Sequence, residues 1–135
     1  MAFLTYSKLY WINYKRGKAT IQQSTLMGGN QQVIVSDDLF RPRSLIIKDR
    51  YVYWMDGLSK SRRAKGFKLE RYNIDNGKRE TVCHSKDKTI NPFSMDINDN
   101  LESVYVSDWL NMAVWKLDLN NTDSKRYLKL FFLKS

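Results

Sequence analysis

The sequence predicts an all-β chain in which one four-stranded antiparallel unit is repeated three times, and three observations predict it. One short strand recurs as Leu9-Tyr10-Trp11-Ile12-Asn13, Val52-Tyr53-Trp54-Met55-Asp56 and Val104-Tyr105-Val106-Ser107-Asp108, with successive tyrosines 43 and 52 positions apart. A second signature, Pro42-Arg43-Ser44-Leu45-Ile46-Ile47, returns as Pro92-Phe93-Ser94-Met95-Asp96-Ile97. No stretch sustains a helical period with caps. Four short strands per unit at such a period read as a solenoid or a propeller, in which each unit buries its sheet against the next.

Taken in order, Leu9 to Ile12 is a strand by its β-branched and aromatic content, and Lys15-Arg16-Gly17-Lys18 is the turn after it. Ala19 to Leu26 is the next strand, Gly28-Gly29-Asn30 a hairpin turn, and Gln32 to Val35 the return. Pro42 opens an extended stretch to Ile47 where its missing N–H costs least. After Val52 to Asp56 the connection swells through Gly57 to Gly66. Phe67 to Ile74 alternates apolar and polar as a half-buried strand, Asp75-Asn76-Gly77-Lys78 turns, and Arg79 to Cys83 returns. His84 to Thr89 reads as a polar loop, and Pro92 opens the third unit. Val104 to Asp108 and Met112 to Leu119 are its strands, with Asn120 to Asp123 as the turn. The units are expected at about 5–47, 48–97 and 98–121, and 122–135 is either the last strand or an off-register tail.

Side chains alternate between the faces of a strand, so each Tyr and the acid three places later point to opposite sides unless the strand ends there. Asp56 and Asp108 are therefore expected at strand ends, turned to bond backbone amides.

Bulk composition narrows the classes further. The 135 residues suit one domain, and 42% hydrophobic with 13% aromatic content supplies a core and excludes a disordered segment. The net charge of +9 is uneven: residues 1–36 contain Lys8, Lys15, Arg16 and Lys18 and no acid. Lys60, Arg62, Arg63, Lys65 and Lys68 fall within nine positions and form a candidate polyanion-binding loop, suited to sulfated glycan. Nucleic acid is not favoured, because Tyr53, Trp54, Tyr72 and Trp115 lie at strand positions that a core claims. A lone Cys83 forms no internal disulfide, and with His84 it makes neither a zinc site nor a nucleophile pair. No cofactor is expected. Met1 to Tyr6 is too short and uncharged for a leader, and Tyr127 to Leu133 falls far below the roughly 20 residues of a membrane span.

The repeated strands and Pro-x-Ser openings resemble YWTD repeats, the six-bladed β-propeller units of low-density-lipoprotein-receptor class B. The pattern is Tyr-Trp-Thr-Asp, an aliphatic near nine positions after the Tyr, then a Leu-Asp-Gly hairpin. Val114 keeps that spacing after Tyr105, while Ile21 and Leu69 lie further on. Leu26-Met27-Gly28, Ile74-Asp75-Asn76-Gly77 and Leu119-Asn120-Asn121 match the hairpin loosely. No unit has the Thr, Asn13 replaces the Asp of the first, and Val106 replaces the Trp of the third. The resemblance spans about residues 9–121.

The resemblance implies a partial, three-blade propeller acting as a non-catalytic protein-interaction module with a protein ligand on one rim and an extracellular or cell-surface parent. It makes Tyr10, Trp11, Asn13, Tyr53, Trp54, Asp56, Tyr105 and Asp108 structural repeat residues. Three units leave open blade edges that invite self-association, so the chain is expected to be a fragment or truncated form of a larger receptor-like protein. A propeller hydrolase is the enzymatic alternative, with Asp56, Asn91, Asp96 and Asp108 as its metal-ligand candidates. Trp109, just past Asp108, is placed to anchor a partner if the channel is an interaction surface, and otherwise it packs between blades, the fate expected of Trp115.

Overall fold

The computed structural model describes residues 2–5, 8–58, 66–85, 92–120 and 129–133. Among them are three four-stranded antiparallel sheets and no helix. The first holds β1 (Ala2–Thr5), β2 (Lys8–Lys15), β3 (Lys18–Thr25) and β4 (Gln32–Val35). The second holds β5 (Arg43–Lys48), β6 (Tyr51–Gly57), β7 (Phe67–Asn73) and β8 (Arg79–Ser85). The third holds β9 (Pro92–Ile97), β10 (Ser103–Asp108), β11 (Ala113–Asp118) and β12 (Lys129–Leu133). Each sheet is a meander in chain order. The first strands touch from sheet to sheet, β1 on β5 and β5 on β9. The sheets therefore fan as three blades of a β-propeller, with β1, β5 and β9 innermost. No helix long and apolar enough to cross a membrane occurs among the described residues.

Local chemistry sets the hairpins. Lys15 pairs with Lys18 across Arg16 and Gly17, both at positive φ (50° and 75°), the mirror-image turn whose twist matches its strands. In the β7–β8 turn Gly77 (φ 72°) donates its N–H to the Asn73 carbonyl at 2.9 Å, and Asn73 Oδ1 accepts from Asp75 N at 2.8 Å. Lys48 pairs with Tyr51 across Asp49-Arg50.

That last turn moves the unit boundaries. The blades divide at 36–42 and 86–91 rather than at 47/48 and 97/98, because each Pro-x-Ser strand pairs with the aromatic strand that follows it. Within 122–135, Lys129–Leu133 is the outer strand of the third blade, paired with β11. Strand β8 runs to Ser85, so His84 lies in a strand rather than a loop. Strand β2 runs to Lys15, so Asn13 lies mid-strand opposite Thr20, not at a strand end.

Two cores fill the gaps between blades. Tyr10, Ile21, Val35, Leu45, Val52 and Trp54 pack between the first and second. Tyr53, Met55, Leu69, Ile97, Val104, Val106 and Leu117 pack between the second and third. Strand β6 thus buries both of its faces, Tyr53 at 1% and Trp54 at 0% exposure.

Candidate functional site

The repeated strand has one job on each face. Tyr10 and Tyr53 point at the blade that follows, while Val52, Trp54 and Val106 point at the blade that precedes. Tyr105 and Trp11, the equivalents on the two outer flanks, are half-buried and belong to neither core. The alternation of side chains along a strand is therefore what joins blade to blade.

Asp56 locks the first junction. It lies one residue from the end of β6 with its side chain sealed, and it accepts the N–H groups of Phe40 at 3.1 Å, Arg41 at 2.5 Å and Gly57 at 2.8 Å. The first two belong to the connection that leaves the first blade. The hydrogen bonds answer donors that the buried link would otherwise leave unpaired. Beside it, Glu70 takes Arg79 Nη2 in a short ion pair, and the Arg79 guanidinium bonds the Asp37 and Asp38 carbonyls.

Burial pushes the Asp56 carboxyl above its ordinary value of 3.8, against the opposing pull of the three amides and Lys68. The folded chain thus holds a proton that the unfolded chain has already released, so this contribution to stability is full below 3.8 and is lost as pH rises through the raised value. Asp56→Asn is expected to flatten that slope in urea titrations across the acid range; an unchanged slope contradicts it.

Asp108 acts within its own blade. At the end of β10 it accepts Leu110 N at 3.2 Å, Asn111 Nδ2 at 2.6 Å and Trp115 Nε1 at 3.1 Å, tying the β10–β11 hairpin shut. Both acids bond backbone amides at strand ends, as their position predicts. Trp115 packs on the inter-blade core. Tyr105 faces outward with Lys116 Nζ 5.8 Å from its ring centre.

The Pro-x-Ser signature carries a junction that its sequence did not announce. Ser44 sits at φ 58°, and its Oγ accepts Met95 N from the next blade at 3.0 Å. Arg43 Nη1 donates to the Pro92 carbonyl at 3.0 Å. Ser94, its counterpart, instead exchanges hydrogen bonds with Ser107 of its own blade.

Of the basic cluster, Lys60, Arg62, Arg63 and Lys65 lie outside the described residues, as does Asn91 of the metal candidates. Lys68 is a correction. It belongs to β7, faces inward opposite Asp56, and its Nζ lies 3.6 Å from Glu70 and 4.0 Å from Asp56. Its nearness to the other cations in sequence misleads because the strand has already begun at Phe67. No group of three or more metal-ligating side chains occurs among the described residues.

The third blade presents an apolar tip. Trp109, Leu110 and Met112 of the β10–β11 hairpin are 62%, 59% and 55% exposed, and Phe93 is 67% exposed. Asp108 pairs with Pro92 and Ser107 with Ser94, so Phe93 is the extra residue of a bulge beside the hairpin. A bulge re-aims a side chain, here out of the sheet. Antiparallel pairing places this tip on the rim that carries the β2–β3 turn at 16–17 and the link 36–42. A cleft of about 500 Å³ opens on that rim between Lys18, Thr20, Asp37, Asp38 and Phe40.

Comparison with known proteins agrees with this geometry. Residues 7–47 match the low-density lipoprotein receptor repeat class B. Protein cueball of Drosophila persimilis is 32% identical over 113 residues, and that of Drosophila virilis 31% over 111. Each alignment covers 80% of this chain, which spans 16% of the length of those relatives. A chain in the crystal structure of the nidogen/laminin complex superposes with a TM-score of 0.66 at 22% identity, over 93% of this chain and 43% of that one. TolB from Acinetobacter baumannii superposes with 0.70 at 12% identity, over 93% and 30%. The chain thus carries a low-density lipoprotein receptor class B repeat at residues 7–47 and is built as three blades of a β-propeller.

Proposed function

We propose that the chain is a non-catalytic protein-interaction module whose docking surface is the rim at Trp109, working outside the cell as part of a receptor-like protein. The observation that carries this reading is the apolar tip: four large side chains, each more than half exposed, gathered at one end of one blade. Exposed apolar clusters with aromatic members mark binding sites, and Trp is the residue type most enriched where binding energy concentrates. Asp108 supports the reading, because it fixes the hairpin before any partner arrives and so lowers the ordering cost of binding. The similarity to a chain solved in a nidogen/laminin complex fits a protein partner.

The test begins with proteins captured from an extracellular matrix extract on the immobilised chain. Trp109→Ala is expected to leave urea stability within about 0.5 kcal/mol of the parent, since an exposed side chain supports no core. The same change is expected to weaken capture by about 30-fold. Undiminished capture by the Trp109→Ala and Phe93→Ala variants overturns the rim as the docking surface. Heparin chromatography tests the rival site at Lys60, Arg62, Arg63 and Lys65: salt-resistant retention lost in Arg62→Ala/Arg63→Ala assigns the basic segment, rather than the rim, to a sulfated glycan.

A further inference from the structure

Two strands of the fan end on the same local device. Asn73 closes β7: its Oδ1 accepts the N–H of Asp75 at 2.8 Å, and the Ile74 N–H reaches the Arg50 carbonyl at 2.8 Å. Asp118 closes β11: its Oδ1 accepts the N–H of Asn120 at 2.8 Å, and the Leu119 N–H reaches the Glu102 carbonyl at 2.7 Å. Each is an Asx turn, which carries the chain off the sheet and presents the second residue beyond the strand. The second blade is covered on both faces, yet Asp75 is exposed. Exposure at this position therefore belongs to the rim and not to what stands beside the blade. Asn120 holds the same position and is exposed as well.

The neighbours of Asn120 in sequence set it apart. Asn120-Asn121-Thr122 is the one Asn-x-Ser/Thr triplet among the 135 residues, and its middle residue is not proline. Thr122 lies outside the described residues; the acceptor rule asks only for its identity. Asn73, Asn76 and Asn98 each turn the side-chain carbonyl to a local backbone amide, which fixes the group in its turn. The Asn120 side chain makes no hydrogen bond among the described residues, so its amide stands ready in solvent.

We propose that Asn120 is an acceptor for N-linked oligosaccharide, a reading that rests on the extracellular placement proposed above. Asn120 Nδ2 attacks the anomeric carbon of an oligosaccharide carried on a polyprenyl diphosphate. A C–N bond forms as the bond from that carbon to the diphosphate oxygen breaks. The diphosphate leaves with the electron pair, and the amide proton passes to a base of the transferase. Strand β11, six residues or about 20 Å long, separates this site from the Trp109 tip. A bulky polar group at Asn120 thus displaces no core and leaves the docking rim clear.

The full 135-residue chain, directed into the secretory pathway of cultured eukaryotic cells by a cleavable leader, is expected to gain mass at this one site. Peptide-N-glycosidase is expected to remove that mass and leave an aspartate at position 120 of the released peptide. Asn120→Gln and Thr122→Ala are each expected to abolish the gain, whereas Asn121→Gln keeps the triplet and the gain. An unmodified chain recovered from the secretory pathway, or a glycan that persists in Asn120→Gln, overturns the proposal. The leader fixes the compartment, so an unmodified product counts against Asn120 alone, and capture at the Trp109 rim tests the interaction reading separately.

Discussion

Trp54→Ala is expected to cost about 3–5 kcal/mol, a large part of the stability of a domain this size. Trp54 is fully buried at the centre of β6, shares its core with Tyr10, Ile21, Val35 and Leu45, and has the Arg79 guanidinium 5.4 Å from its ring centre. Truncation opens a cavity between two blades that rigid sheets cannot collapse to fill. The melting temperature is expected to fall by about 10–20 °C. Trp54→Phe is a sharper comparison. The indole N–H has no hydrogen-bond partner among the described residues, so phenylalanine loses volume but also removes a costly orphan donor. It is expected to cost about 1 kcal/mol or less. If urea unfolding shows the two variants equal, the indole does not fill the junction.

Asp56→Ala is expected to cost about 3–4 kcal/mol, because buried partners are left behind rather than removed. The amides of Phe40, Arg41 and Gly57 lose their acceptor, and Lys68 loses one of its two carboxylates. Asn13→Ala serves as the internal contrast. It occupies the same repeat position on a half-exposed flank, and it is expected to cost about 0.5 kcal/mol. Equal losses for the two variants, measured by urea unfolding, contradict the division between junction and flank.

Much of this was legible before any coordinates. The Tyr-Trp step in the first two copies marks two faces, and the structure sends Tyr53 and Trp54 into different cores. Asp56 and Asp108 read as strand-end acids that seek amides, and both do so. Asn13 resembles them in sequence but behaves otherwise, since Arg16-Gly17 makes a two-residue turn that carries the pairing past it to Lys15. Lys68 was hidden for a different reason: a run of cations reads as one solvated loop, although the alternation from Phe67 already put Lys68 in a strand, where it shares a face with its cross-strand partner Asp56. The Glu70–Arg79 pair had no local signal, because its members meet across strands nine positions apart. Ser44 belonged to a visible motif, but its bond to Met95 crosses between blades, and only the fan brings them together.

Everything rests on adjacent residues of one strand serving two different junctions. NOE spectra of a methyl-labelled chain measure this directly. The Tyr53 ring is expected to contact methyls of Ile97 and Val104 from the third blade, and the Trp54 indole those of Ile21 and Val35 from the first. Contacts from both rings to one blade, or from Trp54 to the third, would contradict the fan.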